Sequence, residues 1–429
     1  MAAPRLLLLL PSTTYRAEAY VEAARRLQVD LTVGSDHRST LSPLQPDALL
    51  ALDLADPGRL VAQAAAFHGA HPLSAVVGVD DDTTVAAARI SAALGLRHPS
   101  VEACLAARDK HLQRQRLRAA LCAVPPFALH ALDGDLGAIA RTSPYPCVLK
   151  PLRLSMSRGV MRANDAPEFV ERAERLRRIL AAPDAAAARA GQAATFLVEE
   201  YVDGPEFALE GLLQHGELTV LALFDKPEAL EGPFFEETIY VTPSRLPAAE
   251  QARLVTCVAQ AAAALELRDG PVHAEVRLNA AGPWLIELAA RPIGGRCSAV
   301  LRFGASADTS LEELLLRHAL GERLGPADLV RESAAAAVLM IPTPAAGTLA
   351  AVGGIAEARR VPWVDDVVIT AHPGQALVPL PEGSRYLGFI YARAPDAATA
   401  AAALRQAHAR LDLRIDQADP RSGDRLGAG

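Results

Sequence analysis

The chain has 429 residues, 51% of them apolar and 22% charged, a balance that excludes disordered, collagen-like and disulfide-scaffold classes. At roughly 150 residues per domain, the length sets a prior of about three domains. With 43 basic and 50 acidic residues the net charge is −7, which gives no electrostatic reason to expect nucleic acid as a partner.

The first hundred residues alternate strand and helix patterns. The run Leu6–Leu10 stops at Pro11 and is followed by Ser12, Thr13 and Thr14. It reads as a buried parallel strand over Arg5–Leu10 rather than a secretion signal. A helix over Arg16–Leu27, strands at Asp30–Gly34 and Leu49–Leu52, a helix over Pro57–Phe67, a strand at Ala75–Val79 and a helix ending at Leu94 complete a βαβ rhythm. Asp80, Asp81 and Asp82 open that last helix and read as caps for its free N–H groups. No G-x-G-x-x-G follows the first strand, which disfavours a dinucleotide-binding Rossmann domain.

A single helix is expected from about Ser100 to Leu121, broken by Val124-Pro125-Pro126. Further strands fall at Tyr145–Lys150, from Gly159, at Thr195–Tyr201, Glu206–Gln214 and Glu217–Phe224, with helices over Ala166–Leu180 and Pro247–Arg268. Beyond Arg331 the segments Ala335–Ile341, Gly354–Val361, Asp366–Ala371 and Tyr386–Arg393, then an amphipathic helix over Asp396–Leu411, suggest one more α+β unit and a frayed tail. No stretch approaches the roughly 20 apolar residues of a membrane span. Five scattered cysteines without C-x-x-C spacing argue for a reducing compartment and against structural zinc.

Lysine is rare: only Lys110, Lys150 and Lys226 carry ammonium groups among the 43 basic residues. A compositional bias that turns indifferent lysines into arginines leaves lysine where a compact, rotatable ammonium is needed.

The segment Pro271–Arg296 carries the chemistry. Alternation sets His273, Glu275 and Arg277 on one strand face, and Leu285, Glu287 and Ala289 on one face of the next, opposite Trp284, Ile286 and Leu288. A three-residue loop Ala280-Ala281-Gly282 pairs Asn279 with Pro283 and hence Glu275 with Glu287. Facing carboxylates repel, and a divalent cation removes that penalty; an oxygen-only donor set points to Mg²⁺ or Mn²⁺. Arg291, Gly294, Gly295 and Arg296 follow at once, a Gly-Gly turn opening a helix that offers N–H donors and guanidinium groups to an oxyanion.

These residues resemble the ATP-grasp superfamily over most of the chain. Glu275 and Glu287-Leu-Ala-Ala-Arg291 match the motif that holds Mg²⁺ and contacts phosphate and an acyl-phosphate intermediate. Arg108-Asp109-Lys110 matches the segment of the first nucleotide lysine, and Pro146–Pro151 the strand that brings Lys150 to the α- and β-phosphates. Phe196–Val202, with Gly204 and Glu206, matches the strand and hinge that hold adenine. The resemblance implies that the carbonyl of Glu200 or Glu199 and the N–H of Val202 read adenine, with Tyr201 in the same hinge, and that Glu206 orients Lys150 or ribose. Ser155 and Ser157 fall in the phosphate-covering loop, which holds one glycine here, and Ala289 stands where an asparagine ligand is usual.

Within the superfamily the chain is most similar to the L-amino-acid ligases. That implies an α/β and α+β architecture: a Rossmann-like pre-ATP-grasp domain (1–100), an ATP-grasp region (101–330), a C-terminal α+β domain (331–415) and a tail (416–429). It also implies an ATP-dependent carboxylate–amine ligase that forms an amide or dipeptide through an acyl phosphate. Glu237 is expected to bind an amino group and Tyr240 to line the pocket, with His273 and Arg296 also facing substrate. A bicarbonate-using carboxylase and a non-catalytic ATP-binding protein are the alternatives, and the role of Lys226 is open. The expected setting is the cytoplasm, with no membrane or nucleic-acid partner and a homodimer as the default assembly.

Overall fold

The computed structural model describes residues 3–11, 14, 16–39, 41, 44–188 and 193–417. The expected tail from 416 therefore lies outside the described residues from 418 onward. The chain divides into two compact units, each assembled from three stretches: 1–125, 206–224 and 246–333 in the first, and 126–205, 225–245 and 334–429 in the second.

The first unit opens with a four-stranded parallel sheet in the order Leu49–Ala51, Asp30–Ser35, Arg5–Leu9, Ala75–Gly78. Leu6 to Leu9 are fully buried, as a central parallel strand covered on both faces requires. Gly78 ends the edge strand because a Cβ there would stand 2.4 Å from the Thr83 carbonyl, too close for any other residue. Asp80 then N-caps the helix Asp81–Leu94 in a capping box with Thr83.

Its second sheet takes the antiparallel order Gly282–Ala289, Gly270–Asn279, Glu206–Gln214, Glu217–Asp225. The helix Ala248–Ala264, shorter than the expected Pro247–Arg268, packs on one face through Leu254, Val258 and Ala261. The single helix expected over 100–121 is two, Val101–Arg108 and Lys110–Ala119. Asp109 breaks it by leaving helical dihedrals and accepting from the N–H groups of His111 (3.1 Å) and Leu112 (3.2 Å). Lys110 thereby becomes the first residue of a helix.

The second unit holds a four-stranded sheet in the order Phe127–Ala131, Thr195–Glu200, Cys147–Pro151, Met161–Ala163, covered by Ala166–Ala181. A further group of strands, Ile239–Thr242, Ala335–Ile341, Gly388–Ala394 and Val364–Ile369, packs against the helix Ala397–His408. Three short strands, Ala376–Leu377, Gly347–Gly353 and Asp412–Asp416, form a third sheet. The segment 354–361 is a short helix, Ile355–Arg359.

Candidate functional site

Glu275 pairs directly with Glu287, by a route that differs from the sequence expectation. The loop has two residues, not three: Asn279 pairs with Gly282, whose φ is +127°. The Asn279 side chain closes this turn by accepting from the Ala281 N–H at 3.0 Å. A bulge between Glu275 and Val276 then absorbs one extra residue, Ile286, and returns Glu275 to Glu287. The bulge also reassigns the core face: Leu285 and Leu288 are fully buried, and Ile286 is not.

The strand Gly282–Ala289 is a sheet edge, and the helix Lys110–Ala119 covers it. Gln113, fully buried, donates to the Leu288 carbonyl at 2.7 Å and accepts from the Leu288 N–H at 3.2 Å. Arg114, 2% exposed, donates to the Ile286 carbonyl at the bulge. This clamp delivers Lys110 Nζ to within 2.9 Å of Glu287 Oε1. The ammonium offsets the charge of Glu287, one of the two facing carboxylates. The two glutamates remain an all-oxygen donor pair that suits a hard divalent cation.

The neighbouring strand adds a cross-strand set that sequence reasoning missed. Glu206, Ala208 and Glu210 face Arg277, Glu275 and His273 in register. Arg277 Nε donates to Glu206 at 2.9 Å, with both side chains buried. Glu206, expected to orient Lys150 or ribose, thus has Arg277 as its partner within its own unit. Glu210, fully buried, accepts from the Ile293 N–H at 2.9 Å and lies 3.6 Å from His273 Nδ1. Burial pushes the Glu210 carboxyl above its ordinary range. His273 Nε2 is 3.9 Å from Glu275 Oε1. Burial works to lower the imidazole pKa, but the two glutamates outweigh it and raise it. The readable signal was the equal spacing of Glu206-x-x-x-Glu210 and His273-x-x-x-Arg277, complementary when antiparallel.

Arg291 bonds Asp81 at 2.9 Å, so the acidic triplet does more than cap. Burial raises the Asp81 carboxyl, yet Arg291 prevails and holds it below the usual range. Asp82 pairs with Arg108. Gly294 and Gly295 do not open a long helix: a four-residue 3₁₀ turn, Cys297–Val300, follows, and Arg296 adopts a left-handed conformation at φ +54°.

The second unit carries the remaining candidates. Lys150 and Glu199 lie on one sheet face, diagonal across paired strands, with Nζ 2.6 Å from Oε2. Their exposures are 7% and 1%. Glu200 points outward, exposed, while its N–H donates to the Pro126 carbonyl and the Tyr201 N–H to that of Pro146. The Tyr201 ring stacks on Phe235 and lies under the Arg162 guanidinium at 4.1 Å. Val202 follows in the hinge.

In the serine loop, Met156 and Ser157 both take positive φ, +57° and +56°. Ser155 and Ser157 accept backbone bonds from Arg158 and Val160 through their carbonyls, and the Gly159 N–H donates to Pro381. Lys226, Glu237 and Tyr240 form one cluster. Lys226 Nζ and the Tyr240 hydroxyl each donate to Glu237 Oε1 at 2.6 Å, and the ammonium stands 4.9 Å from the Tyr240 ring centre. Each of the chain's three lysines is thus buried against a glutamate. The candidates group as Lys110, Glu206, His273, Glu275, Glu287, Arg291, Gly294, Gly295 and Arg296 in one unit and the rest in the other.

Three family models match in succession: an ATP-grasp N-terminal domain at residues 21–98, an ATP-grasp domain at 143–300 and an L-amino acid ligase C-terminal domain at 339–416. The uncharacterized protein y4rH of Sinorhizobium fredii is 25% identical over 96% of this chain and 83% of its own length. Alanine–anticapsin ligase of Bacillus subtilis is 28% identical over 47% of this chain, a match that spans 44% of that enzyme. The crystal structure of an L-amino acid ligase from Bacillus licheniformis superposes with a TM-score of 0.79 at 24% identity, over 97% of this chain and all of that one. Among the described residues, no helix is long and apolar enough to cross a membrane.

Proposed function

Because the chain belongs to the ATP-grasp ligases and carries an L-amino acid ligase C-terminal domain, we propose that it is an ADP-forming carboxylate–amine ligase that joins amino acids or closely related substrates into an amide. What supports the reading most is the hairpin: Glu275 faces Glu287 in register, with the Lys110 ammonium 2.9 Å from the latter.

In this reading ATP phosphorylates a substrate carboxylate, an amine attacks the acyl phosphate, and phosphate leaves with the amide formed. Phosphoryl transfer asks for positioning and charge neutralisation rather than covalent help. Lys110 and Lys150 offset triphosphate charge, and Arg291 with the Gly294 and Gly295 N–H groups stabilises the acyl phosphate. Asp81 holds the Arg291 guanidinium in a fixed orientation. Glu275 and Glu287 would hold Mg²⁺ or Mn²⁺, which supplies charge neutralisation on the phosphate oxygens. The hinge around Glu199, Glu200, Tyr201 and Val202 takes the adenine, and Ser155 and Ser157 lie over phosphate. Glu237 takes the substrate amino group, Tyr240 lines the pocket, and His273 and Arg296 face substrate. The division into 1–100, 101–330 and 331–415, a cytoplasmic setting and a homodimer belong to the same reading.

The test is a phosphate-release screen with Mg²⁺-ATP over pairs of amino acids. ADP and phosphate release that depends on an amino acid pair, with an amide product by mass spectrometry, is the expected result. Stimulation by bicarbonate alone, or ATP binding with no turnover for any pair, would overturn it.

A further inference from the structure

The serine loop is tied to a segment more than two hundred positions further along the chain. Met156 and Ser157 take successive left-handed conformations, at φ +57° and +56°, and Gly159 takes a third at +74°. Residues that carry a Cβ avoid that region, so the loop keeps this shape only where its surroundings impose it. Residues 379–383, in the same unit, supply the constraint. The Gly159 N–H donates to the Pro381 carbonyl at 2.9 Å, and Arg158 Nε donates to the Glu382 carbonyl at 2.9 Å.

That segment is itself fixed from two sides. The Gly383 N–H closes its turn on the Pro379 carbonyl at 2.9 Å. A Cβ at Gly383 would stand 1.7 Å from the Val378 carbonyl oxygen, so no larger residue fits there. Arg175, on the helix Ala166–Ala181, grips the Glu382 carboxylate with two donors, Nε at 2.5 Å and Nη2 at 2.8 Å. This guanidinium holds the Glu382 carboxyl below its usual range. A single residue thus connects the helix that covers the sheet with the loop that leaves it: its side chain meets Arg175 and its carbonyl meets Arg158.

We propose that Glu382, a residue of the C-terminal domain, is a positioning residue for the nucleotide: through Arg175 on one side and Arg158 on the other, it holds the loop 154–159 in its phosphate-covering shape before ATP arrives. The inference rests on the nucleotide-binding part of the ligase reading and adds to it a task for the C-terminal domain. A loop ordered in advance binds its ligand without the entropy loss of ordering. The size of the effect is bounded by the pair. With side chains 26% and 40% exposed, Arg175 and Glu382 form a contact of the partly solvated kind, which shifts an equilibrium up to about fivefold.

The test measures Mg²⁺-ADP binding to the full chain by calorimetry, with no amino acid present. Glu382→Ala should weaken ADP at least about threefold. In the nucleotide-free protein the same variant should speed amide exchange at Gly159, while the amides of the strand Cys147–Pro151 exchange as in wild type. Arg175→Ala should weaken ADP similarly, and the double variant should lose no more than the worse single one, because the two side chains act through one contact. In turnover assays Glu382→Ala should raise KM for ATP and change kcat far less. A smaller loss of ADP affinity in Glu382→Ala, unchanged exchange at Gly159, or losses that multiply in the double variant would overturn the proposal. Since ADP binding and amide exchange are read without an amino acid, a failed phosphate-release screen leaves this inference standing. An active ligase whose Glu382→Ala variant binds ADP like wild type would remove this inference alone.

Discussion

The Lys110 ammonium lies 2.9 Å from Glu287 Oε1, and Glu287 stands directly across the hairpin from Glu275. One positive charge therefore already meets Glu287, and a divalent cation competes with it for the same oxygen. Glu287→Gln keeps the shape and removes the charge. Amino-acid-dependent ATP turnover should fall at least about 100-fold, the scale for losing a group that neutralises transition-state charge, while the circular dichroism spectrum stays that of wild type. Turnover within about threefold of wild type would count against Glu287 as an ion ligand.

Lys150 tests whether lysine scarcity carries information. Its ammonium meets Glu199 at 2.6 Å where the two residues are 7% and 1% exposed, and a larger planar guanidinium would have to displace buried neighbours to make the same contact. Lys150→Arg should lower turnover at least about tenfold, and Lys150→Ala, which strands a buried carboxylate, should cost about 3–5 kcal/mol in a urea melt. Steady-state rates for Lys150→Arg equal to wild type would mean that the three lysines are survivors of chance.

How far the sequence could be read is clearest at the hairpin. The assumed three-residue loop brought Glu275 opposite Glu287, but the loop is one residue shorter than expected and the bulge at Ile286 makes up the difference. The two departures cancel at Glu287 and show only in which apolar residue faces the core. The parallel strand Arg5–Leu9 was legible because a five-leucine run ended by Pro11 is too short for a buried helix and fits a strand covered on both faces. The break at Asp109 was not, because an acidic residue between two helical patterns looks the same whether it caps or continues. Ile239–Thr242 was missed as well. It is four residues long and gains its hydrogen bonds from Ala335–Ile341, almost a hundred positions on, so nothing local marks it. Asp81, Glu210 and Arg277 were not singled out as partners of the candidate residues, since those contacts arise only when distant strands and helices meet.

Lys226 gains a meaning from the structure that its motif did not give. With side chains 3% and 18% exposed, Lys226 and Glu237 pair at 2.6 Å, and Tyr240 donates to the same oxygen. If Glu237 receives the amino group of a substrate, that ammonium must share the carboxylate with Lys226. Glu237→Gln should raise KM for the amino substrate about tenfold with kcat changed far less, the pattern of lost uniform binding. Lys226→Met, which removes the competitor, should lower the same KM. A higher KM in Lys226→Met would make Lys226 part of the pocket rather than its rival.

His318 makes stability depend on acid in a defined window. Burial, its largest influence, lowers the imidazole pKa from 6.5 to about 4, with Arg97 adding to the effect. Between those values the unfolded chain binds a proton that the folded one does not, so folding stability rises with pH across the interval. The contribution is fully present above about pH 6.5 and is lost as pH falls toward 4, on the order of 3 kcal/mol in all. Carboxylates titrate at the lower end of the range, so the comparison must be with a variant rather than with wild type alone. In urea melts from pH 7.5 to 4, the stability of wild type relative to His318→Gln should shrink by about that amount as the solution is acidified. A difference that stays constant over the range would show that the imidazole is solvated in the folded protein and is not held neutral by its surroundings.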